Sequence, residues 1–292
     1  MKRIVFTCIQ PAAIAAIIAF WALAPASLTT SWWTLFAGAV VTKLGILALE
    51  RVNERHASWR LTRTELLTDL FYVALGYTVI RYARKHWGDA PLEAAKNAIG
   101  ISTPWLEHAP FLLQVALIVF LIEFSQYWMH RAMHNWYPLW LTHAPHHYVT
   151  QLNALKGAVG NPIELFLIGL SVVTLFDFSL TAAFCAAHVL TAVAAFAHAN
   201  VRFDPPRWYA YLFTTVEHHS LHHSTDYEST RCNYANALIL CDRMFGTFRD
   251  GEAAEVGQDG QRRLSIREQF MFPFAPLVEM MKTRRDRSAV HP

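Results

Sequence analysis

The sequence predicts an all-α protein, a helical bundle set in a membrane, and three observations carry that prediction. The 292 residues are 54% hydrophobic and only 16% charged, with mean hydropathy +0.22. A soluble domain carries about 25% charged residues, so lipid is part of this chain's solvent. Several apolar runs approach the roughly 20 residues that a spanning helix needs. Nine of the 15 histidines fall in three short runs attached to those apolar segments, and His198 stands alone between the second and third. Net charge is +3 and pI 8.7, but Lys and Arg sit between the apolar runs rather than along one face, which excludes a nucleic-acid role. Cys8, Cys185, Cys232 and Cys241 have no framework or Cys-x-x-Cys spacing and read as structural.

The helices follow in order. Ile4–Leu23 comes after Lys2 and Arg3 and has the look of a secretory leader, since Ala24-Pro25-Ala26-Ser27 offers an A-x-A-like cleavage site. Its apolar run is long for a leader, so the helix is expected to stay. Residues 32–49 form a second candidate, with Lys43 inside it and Trp32 and Trp33 at an interface position. Residues 66–80 are shorter and end in Arg81, Arg84 and Lys85; residues 110–129 are strongly apolar. Residues 163–197 form one long apolar stretch broken near Asp177, which suits two crossing helices joined by a tight hairpin. Arg51, Arg55, Arg60 and Arg63 follow the second helix, and positive charge marks the cytoplasm. Counting crossings from there puts every histidine run on the cytoplasmic side. The basic tail (Arg262, Arg263, Arg267, Lys282, Arg284, Arg285, Arg287) falls on that side too. Residues 251–264 read as an exposed loop, and 270–281 as a segment along the membrane surface. The chain is thus one structural domain in three parts: N-terminal transmembrane helices (1–109), a histidine-rich di-metal region with the hairpin (110–250), and a cytoplasmic or interfacial tail (251–292).

The histidine runs have metal-ligand spacing. His130 and His134 are i and i+4 and share a helix face. The same face carries Tyr127, Gln126 and Glu123, a polar stripe that is costly in lipid unless it supports ligands from behind. His143-x-x-His146-His147 and His219-x-x-His222-His223 repeat one pattern, i, i+3, i+4. Pro145 suits a first helical turn, so a helix is expected to begin near it, with His143 reaching in from the loop. Each run alone could be a surface cluster or a satisfied pair; together on one membrane face they point to a cap holding two metal ions. His198 gains weight from its depth, His218 points elsewhere and reads as a supporting residue, and His188 reads as structural or cavity-lining. His56, His86, His108 and His291 have no partners in the pattern. Imidazole suits Zn, Cu, Fe and Ni. Nine or more ligands exceed the three of a catalytic zinc, and two irons in neutral ligands suit the multi-electron reduction of dioxygen, which favours iron.

From about Val115 to Arg249 the chain resembles the fatty acid hydroxylase/sterol desaturase superfamily of membrane di-iron enzymes. The resemblance lies in His130-x-x-x-His134, His143-x-x-His146-His147, His198-Ala-Asn200 and His219-x-x-His222-His223. It extends to Asn233-Tyr234 and to the closing segment Leu240-Cys-Asp242-Arg243-Met244-Phe245-Gly246-Thr247-Phe248. It implies that His130, His134, His143, His146, His147, His198, His219, His222 and His223 ligate two metals. It also implies that Asp242 accepts a hydrogen bond from a ligand's outer ring nitrogen, with Asn233 beside it. Cys241 stands where the family usually has Trp, Ala235 where it has Gly, and Asn161-Pro162 where many members have His-Pro. That last departure leaves open a tenth ligand, which an asparagine, a water or His218 would supply.

The function so implied is hydroxylation or desaturation of a C–H bond in a lipid, with two Fe ions (Zn being a possible substitute in purified protein). O2 and a separate ferredoxin- or cytochrome-type electron donor are the other partners. The substrate would enter sideways from the bilayer. Two rivals use the same imidazoles. A membrane zinc hydrolase would employ Glu217 or Glu123 as general base, but the ligand excess speaks against it. A metal transporter would want polar residues through the helices toward the far side, where the stretch 163–197 reads as offering only Asp177 and His188.

Overall fold

The computed structural model describes residues 2–279. Its helices, in chain order, begin with α1 (Lys2–Leu23), α2 (Trp32–Val52), α3 (Arg63–Leu75), α4 (Phe111–Asn135) and α5 (Tyr137–His147). They continue with α6 (Pro162–Ile168), α7 (Leu180–His198), α8 (Val216–His222), α9 (Leu240–Met244) and α10 (Ile266–Met271). No strand forms among the described residues; two isolated bridges, Glu54–Val201 and Ser224–Val256, pin loops together. Four of these helices, α1, α2, α4 and α7, are long and apolar enough to cross a membrane. Lys282, Arg284, Arg285, Arg287 and His291 lie outside the described residues, as does the end of the segment 270–281.

Helix α7 is the axis of the bundle. More than half of its apolar window is buried (56%), against 22%, 17% and 33% for α1, α2 and α4, which surround it. Its sequence explains this: Ala182, Ala186, Ala192, Ala195 and Ala197 are buried, and small residues let neighbouring backbones approach closely in lipid. Ser179 caps it by accepting from the Ala182 amide, and Ala199 ends it in extended conformation.

A polar knot fixes α1 and α2 to this axis. Trp21 Nε1 donates to His188 Nδ1 at 3.1 Å, and Thr42 Oγ1 lies 3.0 Å from His188 Nε2. An indole only donates, so Nδ1 is the bare nitrogen and Nε2 carries the proton that Thr42 accepts. Gly38 makes room for the ring; a Cβ there would fall 2.7 Å from it. His188 is therefore a structural residue. Trp21, 1% exposed, makes α1 part of the core.

Helices α4 and α7 run parallel. Ser179 N donates to Gln114 Oε1 at one end, and both helices finish in histidines at the other. Helix α3 starts at the histidine end. It continues through wide turns at Gly76–Ile80 and Arg84–Asp89 to Ala90–Ala98, where Lys96 pairs with Asp177. The return of the chain from α5 to α7 differs from the two-helix hairpin expected for 163–197. Helix α6 stops at Ile168, and Ser171 opens a separate short turn, Val172–Leu175. Only α7 is a full-length span there.

Candidate metal centre

Helix α4 delivers His130 and His134 at its last turn. Trp136 then adopts extended backbone and Pro138 starts α5, so the chain folds back at once. His143 lies within α5, ahead of Pro145, rather than in the loop before it. Adjacent residues on a helix diverge by about 100°, so His146 and His147 address two different points. The same holds for His222, the last residue of α8, and His223, its cap. The nine imidazoles sort into two groups. One contains His130, His134, His143, His147 and His222, the other His146, His198, His219 and His223, and within each group the ligand atoms lie within 4.8 Å of one another. All nine are buried.

Hydrogen bonds decide which nitrogen faces inward. His130 Nδ1 bonds the Tyr234 carbonyl, His222 Nδ1 that of Cys232 (2.7 Å), His146 Nδ1 that of Val159 (2.7 Å) and His198 Nδ1 that of Ala194 (2.8 Å). Carbonyls only accept, so these four rings carry their proton on Nδ1 and present a bare Nε2 lone pair. Yet His130 Nε2 lies 3.1 Å from His222 Nε2, and His143 Nε2 lies 2.9 to 3.1 Å from those of His130, His134 and His147. In the second group His198 and His219 face each other at 2.9 Å. Converging lone pairs repel unless a cation sits among them, so the donor set fits metal ions. Burial pushes the His143 imidazole down to about 3 and lowers His146, His147, His219, His222 and His223 as well. The rings are thereby kept in the neutral form that binds metal.

Asn233 and Asp242 act on the backbone behind these rings. Asn233 is in the left-handed region (φ 50), which Asn tolerates better than most residues. Its side chain donates to the His218 and Arg249 carbonyls and accepts from Arg249 N. The turn so held aims the carbonyls on either side of it, Cys232 and Tyr234, at His222 and His130. Asp242 reaches no imidazole; it accepts from the amides of Tyr234 and Ala235 and from Thr247 Oγ1. Burial raises the carboxyl of Asp242, and these bonds oppose the shift. Glu123 likewise bonds amides, Ala237 and Leu238, both at 2.8 Å, rather than a ring. His218 meets Thr215, Asp250 and Phe248 and stays outside both groups. Asn161 caps α6 and donates to the Gln269 and Phe270 carbonyls, so it ties α10 to α6 and adds no ligand.

Glu164 is the residue that sequence reasoning missed. Its Oε1 takes the Nδ1 proton of His143 at 2.8 Å, while burial pushes its carboxyl up to about 8. Its signal was present: one acidic residue at the head of an apolar stretch. Behind the second group, Lys156 is 1% exposed and bonds Asp69 (2.7 Å) and Glu65. This cluster anchors the loop whose Val159 serves His146 and whose Gly157 lies against His198; a Cβ on Gly157 would sit 3.2 Å from that ring.

Fold and site together define an all-helical integral membrane protein with two buried histidine clusters capable of holding metal ions. Residues 115–247 match the fatty acid hydroxylase family model. That match, over just under half of the chain, and the relatives below support the fatty acid hydroxylase/sterol desaturase superfamily. It is 27% identical to ornithine lipid hydroxylase OlsE of Rhizobium tropici, over 80% of this chain and 74% of that protein. It is 28% identical to alkylglycerol monooxygenase of Xenopus tropicalis, over 44% of this chain and 28% of that protein. The delta(7)-sterol-C5(6)-desaturase of Nicotiana tabacum is 30% identical, over 50% of this chain and 52% of that protein. The chain thus spans about half or less of the last two. No solved structure matches it.

Proposed function

We propose that the protein is a membrane oxygenase that hydroxylates a C–H bond of a lipid. The reaction balances as R–H + O2 + 2 electrons + 2 protons giving R–OH + H2O, the electrons coming from a separate ferredoxin- or cytochrome-type donor. The observation that carries this reading is the convergence of nine histidines, several locked with a bare Nε2 inward, on two adjacent points. Two irons held there, by His130, His134, His143, His147 and His222 and by His146, His198, His219 and His223, would supply the activation of dioxygen. The chain's own residues do the rest. Glu164 and the carbonyls of Tyr234, Cys232, Val159 and Ala194 hold the outer protons, so the rings neither rotate nor change tautomer. Leu165, Ile168 and Leu190 wall a cavity beside His130, His143, His146 and His198, which offers an alkyl chain a dry approach. Two of the three relatives above are named as a lipid hydroxylase and a monooxygenase, which favours hydroxylation over the desaturation named for the third. Arg51, Arg55, Arg60 and Arg63 lie at the histidine end of the bundle, which supports a cytoplasmic centre.

The test is metal analysis together with incorporation of labelled oxygen. Purified protein is expected to hold about two irons, and cells expressing it to gain a lipid carrying one atom from 18O2. His146→Ala and His222→Ala should each abolish that product and lower bound metal. Hydrolysis of a lipid by a zinc-only protein, with no labelled product, would overturn the reading.

A further inference from the structure

The cavity beside the histidines, about 240 Å3 between α4, α6 and α7, is not walled by hydrocarbon alone. Glu123, Gln126 and Asn236 line it as well. Glu123 is 1% exposed; one carboxylate oxygen accepts from the amides of Ala237 and Leu238, and the other takes no hydrogen bond among the described residues. Gln126 Oε1 accepts from Asn236 Nδ2 at 3.2 Å, which leaves the Gln126 amide N–H groups, the second Asn236 N–H and the Asn236 oxygen without a partner among the described residues. An acidic side chain in a membrane-spanning helix is expensive without partners, and buried polar atoms are as a rule hydrogen-bonded. The bare Glu123 carboxylate oxygen, the Asn236 oxygen and the amide N–H groups, on residues that line a cavity otherwise suited to an alkyl chain, are therefore built to meet a polar group that arrives with the ligand.

We propose that Glu123, Gln126 and Asn236 form a subsite for a hydrogen-bond-donating group, a hydroxyl or an amide N–H, carried on the lipid. The inference rests on the lipid-oxygenase reading above and adds the substrate class. The unpartnered carboxylate oxygen of buried Glu123 is the costliest of these groups to leave without a hydrogen bond, so a donor group is preferred over an ether or ester oxygen. Glu123 stands seven residues before His130 on one face of α4, roughly 10 Å along the axis at 1.5 Å per residue. The polar group would bind at that distance from the histidine centre, and the carbon presented to the centre lies several bonds from it.

The experiment measures equilibrium binding of two radiolabelled probes, 1-decanol and decyl methyl ether, to the metal-loaded full chain in detergent, corrected for micelle partition. The two share the decyl chain and one acceptor oxygen, and only the alcohol donates. Expected is at least tenfold tighter binding of decanol. In Glu123→Gln and in Asn236→Leu, which alter the two acceptors, that preference should fall to within twofold, while metal content stays at the wild-type level. Equal affinity of wild type for both probes overturns the subsite, and so does a preference that survives both substitutions. If the labelled-oxygen product forms in either of these cases, the oxygenase reading stands and only the subsite falls. Saturable binding of neither probe, with no labelled product, overturns both.

Discussion

Asn233 carries more of the centre than its place among the loops suggests. Its left-handed backbone lets two neighbouring carbonyls face two ligands, and its side chain holds that turn to the His218 and Arg249 backbone. Asn233→Ala should destabilise the protein by about 2 kcal/mol or more, combining roughly 1–2 kcal/mol of left-handed strain with lost buried hydrogen bonds. Asn233→Gly removes the bonds but not the permitted φ and should fall between the two, by thermal melts in detergent. At Glu164 the expected contrast is in metal affinity. Glu164→Gln keeps an acceptor for His143 Nδ1, whereas Glu164→Leu should weaken binding by about 10–100-fold, the usual effect of losing a ligand's outer partner. Chelator competition would measure it, and equal affinities would remove Glu164 from any positioning role. The histidine pattern was legible because i, i+3, i+4 spacing is a property of side chains along one element. The partners of those rings were not, because most are backbone carbonyls, which every residue has and whose aim only the folded loop determines. Asp242 was read as facing a ring for the same reason: sequence shows that a carboxylate is near, not whether it meets an imidazole or an amide.

At the scale of elements, hydropathy located α1, α2, α4 and α7 but misjudged one length. The stretch 163–179 is as apolar as a span, yet α6 ends after seven residues. Composition counts apolar residues; where a new turn starts depends on local hydrogen bonds, such as that of the Val173 amide to the Ser171 side chain, which no window average registers. The leader-like character of α1 has a structural answer in Trp21, buried against His188. Protein purified from membranes is expected to retain residues 1–26 by intact mass, because removal would strip Nδ1 of His188 of its donor and expose α7. An N-terminus at Ser27 in active protein would contradict this. Trp21→Ala should cost about 3–5 kcal/mol, the range for a large aromatic removed from a core.

For the whole molecule, the bundle is polarised: its two metal-binding groups, the Lys156 cluster and the ends of α2, α4 and α7 share one end, and Lys96–Asp177 closes the other. Ions bound among mutually repelling lone pairs stabilise the folded state by linkage, about 2.7 kcal/mol at a hundredfold excess over Kd. Chelation is therefore expected to lower Tm by at least about 5 °C at roughly 2–4 °C per kcal/mol for a chain of this size, and restored iron should reverse it. An unchanged Tm would count against bound metal in the native protein. Asp250, 90% exposed beside His218, reports the side of the membrane. In a Cys8→Ser background, Asp250→Cys should resist an impermeant maleimide in intact cells and react once they are opened. Labelling of intact cells would reverse the assigned orientation.

The adjacent pairs His146-His147 and His222-His223 each give one ring to either group. The separation of the two binding points is thus dictated by helical pitch, not by loops that drift as sequences diverge. A one-residue deletion in the turn before either pair would rotate donors away from both ions together. Two ions held by these groups would in consequence be gained or lost as a couple, and a lineage retaining a single one would first have to rebuild a helix.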